Sequence, residues 1–290
     1  MNIIERMSFR GQGGLALAAD RRGPEDGPAV LMLHGGGQTR GSWNMAANAL
    51  AARGLSVTTL DLRGHGESAW SADGDYQLHM FAEDLREVVD QLGTAPVLVG
   101  ASLGGIASML ACGESPHARA AALVLVDIVP RMESSGGNAV VGFMRRTASG
   151  FDTLDHAADA IAEYLPHRPR PRSNEGLAKN LRQGDDGRYY WRWDPAFVTP
   201  REGWDPDASA RRIEAAALAI TVPILMVRGM KSDVVSQEAA ESFRQLLPHA
   251  EIAEVADAHH MVAGDDNDAF LDAITAFVTR HARQGENANG

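Results

Sequence analysis

The stretch Val97–Ser108, VLVGASLGGIAS, runs an apolar trio into a glycine, places a serine two residues later and follows it with a glycine pair. A glycine inside an element costs roughly 0.5–1 kcal/mol relative to alanine. Three of them around one serine therefore imply a turn too tight for side chains. Gly100-Ala101-Ser102-Leu103-Gly104 fits the pattern G-x-S-x-G, set between a strand-like run and a helix-like run. In that setting the Ser102 hydroxyl stands at the C-terminal end of a strand. The helix beginning at Leu103 aims its free N–H groups and positive end at it. A packing turn with an incidental serine would carry the same five letters, so the surrounding sequence has to decide.

Outward from this stretch the chain alternates. PAVLMLHGGG, LSVTTLDLRGHGES and AALVLVDIVP are short apolar runs ending in turn residues, as strands buried on both faces do. Between them SWNMAANALAARG and the Phe81, Leu85, Val88, Val89, Leu92 series keep helical spacing, each stopped by a glycine. Two short strands turning at Gly11–Gly14 precede them. From Arg131 to about Ala215 the text is helical or loop-like, with an aromatic cluster at YYWRWDPAF and no clear buried strand. The alternation then resumes: ITVPILMVRG, a helix over Ser236–Leu247, AEIAEVAD, and a last helix from Asn267 to His281. The expected architecture is α/β, a mostly parallel central sheet with helices on both faces. Residues 1–130 and 216–290 form the core, interrupted by a mainly helical lid over 131–215.

A serine hydroxyl is a weak nucleophile near neutral pH and needs a base, itself oriented by an acid. With the chain order Ser…Asp…His, VADAHHMVAGDD after the last strand offers His259 and His260, and LMVRGMKSDVVS places Asp233 just past a buried strand. HGGG, His34–Gly37, follows the first buried strand. There a glycine N–H comes close to the serine, with the N–H of Leu103 as a second donor to a developing oxyanion.

LMLHGGG, DLRGHGES, GASLGG, PILMVRGMKSDVV and AHHMVAGDDNDAF together resemble the α/β-hydrolase fold superfamily in order and spacing. The similarity is to its branch of lid-bearing esterases, lactonases, carbon–carbon bond hydrolases and cofactor-free haloperoxidases. The resemblance implies Ser102 as nucleophile, Asp233 as acid, and Gly36 and Leu103 as oxyanion donors. It implies His260 as base, with His259 standing where the family usually has glycine. Some members carry the acid one strand earlier, where this chain has Asp127 at the end of LVLVDIVP. A serine at 102 departs from the epoxide hydrolases and haloalkane dehalogenases of this fold, which place an aspartate there.

In DLRGHGES, Asp61 and Arg63 read as holders of the glycine bend, and His34 and His65 as structural hydrogen-bonding residues. Gly37, Phe143, Met144, Trp191 and Trp193 are candidate substrate-binding positions, the last four belonging to the segment expected to cover the site. For any one aromatic there, packing of the segment itself is the commoner explanation. A net charge of −11 argues against a nucleic-acid surface. One cysteine, Cys112, excludes an intrachain disulfide and suits a reducing compartment. No apolar leader or 18-residue apolar run occurs, so a cytoplasmic protein acting on a small molecule away from membranes is expected. The histidines lack metal-ligand spacing, and neither metal nor cofactor is implied. The reading is a serine hydrolase of a small to medium, largely apolar carboxylic ester or lactone. A carbon–carbon bond hydrolase, a perhydrolase or haloperoxidase-like enzyme, and a non-enzymatic receptor on the same fold are its alternatives.

Overall fold

Eight strands form one sheet, in spatial order β1 (Glu5–Arg10), β2 (Ala16–Arg22), β4 (Ser56–Leu60), β3 (Ala29–Leu33), β5 (Val97–Ala101), β6 (Ala122–Val126), β9 (Ile224–Gly229) and β10 (Glu251–Val255), numbered along the chain. The computed structural model describes residues 3–115, 119–166, 174–178, 180–200, 205–260 and 267–287. β1 and β2 form the expected hairpin, and β2 also pairs antiparallel with β4. The remaining neighbours are parallel: β3, β5, β6, β9 and β10.

The two-residue period of the strands sorts their side chains between two layers. Leu31, Leu33, Leu98, Leu123, Leu125 and Met226 face one layer. Its helices are α2 (Leu78–Leu92), α3 (Leu103–Gly113), α7 (Pro206–Ala219) and α8 (Gln237–Leu246). Val30, Met32, Val97, Val99, Val124 and Val227 face the other, formed by α1 (Asn44–Ala51) and α9 (Asn267–Asn287). Each such side chain removed from water stabilises the fold by about 1.5–3 kcal/mol before entropy is counted. Burial on both faces explains why these strands read as continuous apolar runs.

Between β6 and β9 the chain runs through α4 (Ser134–Thr147), α5 (Leu154–Tyr164) and α6 (Glu175–Ala178). A small antiparallel ribbon of β7 (Leu181–Gln183) and β8 (Tyr189–Trp191) follows. The ribbon was not visible in the sequence, because strands of three residues carry too little periodicity. α7, which runs across residue 215, packs Ile213, Ala216 and Ala217 into the layer beside the sheet. Among the described residues, no helix is long and apolar enough to cross a membrane.

Candidate active site

The turn between β5 and α3 explains the glycines around Ser102. A Cβ on Gly100 would lie 2.5 Å from the Gly104 carbonyl oxygen, and one on Gly104 would lie 2.5 Å from that of Leu33. The first turn of α3 is thereby pressed against β3 and β5. Ser102 itself takes φ 46°, ψ −112°, a backbone region costing on the order of 1–3 kcal/mol for a residue with a side chain. The Ser102 carbonyl accepts from Ile106 N–H at 2.9 Å, and its own N–H donates to the Val126 carbonyl at 3.3 Å. The hydroxyl is thus carried on a strained corner fixed from both sides.

One strand away the geometry repeats. Ala101 is in register with Val126, so Ser102 and Asp127 leave neighbouring strands side by side. Asp127 has φ 48°; with Ser102 it is one of the two non-glycine residues at positive φ among the described residues. Its carboxylate is fully buried. Oδ1 accepts from Gly229 N–H at 3.0 Å, and Oδ2 accepts from the Ser232 hydroxyl and from His260 Nδ1–H at 2.8 Å. Gly229 makes the last contact possible: a Cβ there would meet the carbonyl oxygens of Ala258 and His259 at 2.5 and 2.6 Å. The loop after β10 can therefore close over β9 and bring His260 to Asp127.

Of the two carboxylates weighed in the sequence, the structure pairs His260 with Asp127 and not with Asp233. Asp233 is exposed. Burial, and after it the Asp233 carboxylate, raise the Tyr164 hydroxyl above its ordinary range. In the turn after β9 it is the neighbouring side chain, Ser232, that faces the site. Of the two adjacent histidines, His260 makes the carboxylate bond.

The loop from His34 to Gly37 approaches Ser102 from β3: a Cβ on Gly35 would lie 3.4 Å from that of Ser102. Among the described residues, no protein acceptor engages the N–H of Gly36 or of Leu103. The N–H of Gly37 is engaged; it donates to His65 Nε2 at 3.0 Å. His65 Nδ1–H donates in turn to the Arg63 carbonyl at 2.9 Å. His34 mirrors it, accepting from Leu62 N–H at Nε2 and donating from Nδ1 to the Gly35 carbonyl. Both rings are cross-ties between the two glycine loops, as the sequence suggested. Burial holds them neutral, lowering His34 to about 4 and His65 to about 3. Asp61 and Arg63 hold the bend through separate partners. Asp61 accepts from the Arg40 backbone and guanidinium and from Glu67 N–H; Arg63 makes a bidentate pair with Asp84 at 2.6 and 2.7 Å.

Side chains from the segment between β6 and β9 sit on this loop. A Cβ on Gly37 would lie 3.0 Å from Met144 Cε, and one on Gly36 would lie 3.4 Å from the Phe197 ring. Phe197 stands edge-on to His65, with centroids 4.9 Å apart; YYWRWDPAF contains it, but nothing in the sequence aims it at Gly36. Phe143 stacks on Tyr164 at 4.4 Å and 11°, and Trp191 donates from Nε1 to Thr147 at 3.0 Å. Trp193 is 3% exposed, packed with Met144 and Val198 and bridged to His65 through the backbone. Its ring is packed among the side chains of the segment between β6 and β9. Among the described residues, no group of three His, Cys, Asp or Glu side chains could hold a metal ion. Two surface clefts, about 620 Å³ beside α9 and about 430 Å³ at the end of α3, include none of these residues.

Residues 28–266 match the family described as the alpha/beta hydrolase fold. The chain belongs to this family. Esterase Rv0045c of Mycobacterium tuberculosis is 31% identical over 260 residues, 85% of this chain and 81% of that protein. The mouse sn-1-specific diacylglycerol lipase ABHD11 is 29% identical over 262 residues, 87% of this chain and 81% of that protein. In structure the α/β hydrolase is similar to one from Novosphingobium aromaticivorans, with a TM-score of 0.81 and 27% identity over 97% of this chain and 99% of the other.

Proposed function

We propose that this α/β hydrolase cleaves carboxylic esters through an acyl-enzyme on Ser102, with His260 as base and Asp127 as its acid. The observation that carries the reading is the 2.8 Å bond from His260 Nδ1–H to buried Asp127, on the strand neighbouring the strained Ser102 corner. With Nδ1 committed to Asp127, Nε2 is the ring atom left to accept the Ser102 proton. The serine oxygen attacks the ester carbonyl carbon, and the carbonyl oxygen becomes the oxyanion. The unengaged N–H groups of Gly36 and Leu103 stabilise it, each donor contributing about 3–4 kcal/mol in comparable sites. Collapse expels the alcohol, which leaves with the proton held on His260. Water, deprotonated by the same nitrogen, then attacks the acyl carbon and releases the acid and the free serine.

Similar proteins named as an esterase and a diacylglycerol lipase support an ester as the bond cleaved. Met144 and Phe197 against the oxyanion loop support a small to medium, apolar acyl group or a lactone ring. In this reading α4 through β8 act as a lid, and Phe143 and Trp191 extend its apolar lining. The partner is a small molecule, and the acyl-transfer steps use protein groups alone.

Fluorophosphonate labelling followed by peptide mass spectrometry tests the reading. The expected result is one adduct, on Ser102, that ester substrates compete away. A folded protein that hydrolyses esters with Ser102 unlabelled, or with Ser102→Ala fully active, would overturn it.

A further inference from the structure

The turn after β9 supplies no acid, yet it reaches the acid by another route. Ser232 Oγ lies within hydrogen-bond distance of three groups: it accepts from Val234 N–H and Val235 N–H, each at 3.1 Å, and it contacts Asp127 Oδ2. A serine hydroxyl has two acceptor lone pairs and one proton. With both lone pairs occupied by amides, the proton has one direction left, toward Asp127. The carboxylate oxygen that receives it is the one that receives His260 Nδ1–H.

We infer that Ser232 is a positioning residue for the reaction: it fixes which way the Asp127 carboxylate presents Oδ2 to His260. The inference rests on the assignment of Asp127 as the acid. Without Ser232, Asp127 keeps the Gly229 N–H on Oδ1 and is free to rock about that tie, carrying the His260 bond with it. The turn is itself anchored from the covering segment. Glu133 N–H donates to the Val234 carbonyl at 2.9 Å, and the Ser236 hydroxyl donates to the Glu133 carboxylate at 2.7 Å. A Cβ on Gly136 would lie 2.4 Å from the Asp233 carbonyl oxygen, so the start of α4 is pressed on the same turn. The hydroxyl thus connects the base of the covering segment to the catalytic carboxylate.

Other charged or titratable groups lie on these elements, among them Arg228, which donates to the Val235 carbonyl at 2.9 Å and pairs with Glu254 at 3.1 Å. Lys231 pairs with Asp257 at 2.8 Å, Glu133 is bonded to Ser236, and His259 adjoins His260. Lys231 and Glu133 are committed to other partners, and removing the Ser232 side chain changes the hydrogen bonding of Asp127 without changing charge.

The test measures kcat and KM for p-nitrophenyl acetate from about pH 5 to 9 in the intact protein and four variants. These are Ser232→Ala, Ser232→Cys, Ser232→Thr and Asp127→Asn. Ser232→Ala is expected to lower kcat about tenfold, the effect of losing a bond to a charged group, with KM unchanged. The acid limb of kcat/KM moves to higher pH, because a carboxylate relieved of one donor holds the His260 proton more strongly. Ser232→Thr, which keeps the hydroxyl, restores both, and Ser232→Cys, a weak donor of similar size, falls between them. Should the alanine variant not fold, the order Thr above Cys carries the test. Equal rates and pH profiles for these variants beside an inactive Asp127→Asn would overturn the role of Ser232 and leave the esterase reading standing. A change in KM alone would overturn it too. An Asp127→Asn protein as fast as wild type would overturn the reading on which the inference rests.

Discussion

At the C-terminal edge of the sheet, positions are set by the backbone. Ser102 and Asp127 both hold positive φ on neighbouring strands, Gly104 lies against the Leu33 carbonyl, and Gly229 admits the loop that carries His260. Over that edge, between β6 and β9, positions are set by side-chain packing: Met144 and Phe197 on the glycine loop, Trp193 beneath them, Phe143 stacked on Tyr164. The first construction tolerates almost no change of atom position, while the second accepts exchanges of similar volume. In the proposed function, chemistry falls to the rigid construction and selection among substrates to the adaptable one.

Acid breaks the rigid side first. His34 and His65 are neutral in the fold, with values lowered from 6.5 to about 4 and about 3, whereas the unfolded chain takes up their protons near 6.5. A histidine with a lowered folded value contributes stability that is complete above the unfolded value and is lost as pH falls toward the folded one. At pH 5 each ring has lost about 2 kcal/mol. Urea unfolding at pH 7 and 5 should show this decline, and His65→Gln, which keeps an acceptor for Gly37 N–H, should remove about half of it. An unchanged slope in that variant would mean that His65 is not the titrating cross-tie.

Gly104→Ala comes next in size. A Cβ 2.5 Å from the Leu33 carbonyl oxygen and 2.7 Å from the Leu33 side chain has nowhere to go, and overpacking of this kind costs about 1–3 kcal/mol. Thermal unfolding should register the loss, accompanied by a drop in turnover as the Ser102 corner shifts. Met144→Ala on the adaptable side should do least to stability and most to selection. Removing the thioether from above Gly37 should move the preferred acyl chain upward by a few carbons, with a several-fold change in relative kcat/KM across a nitrophenyl ester series. If the preference stays put, Met144 does not line the acyl path.

The same division governs what could be read from the sequence. The Ser102 corner was legible because its glycines and the apolar runs beside them follow directly from close approach and two-face burial. The family followed from the same motifs, and residues 28–266 match it. The carboxylate partner of His260 was not legible. Asp127 and Asp233 both follow buried strands, and the difference between them lies in a register, Ala101 against Val126, and in which side chain of the 232–233 pair turns inward. Phe197 over Gly36 was hidden for a similar reason, since it depends on the backbone pairing of His65 with Trp193 across more than a hundred residues. Local pattern reports what one element needs; long-range pairing decides which of two chemically equal residues meets the site.

The most direct measurement is therefore a paired one: turnover of p-nitrophenyl acetate by Asp127→Asn and Asp233→Asn, each checked for folding. Asp127→Asn should fall by about 10⁴ in kcat, as happens when a triad histidine loses the carboxylate that fixes its tautomer, while Asp233→Asn stays within a few-fold of wild type. The reverse pattern, with Asp233→Asn inactive and Asp127→Asn fast, would contradict the assignment of His260 and Asp127 as the pair that activates Ser102.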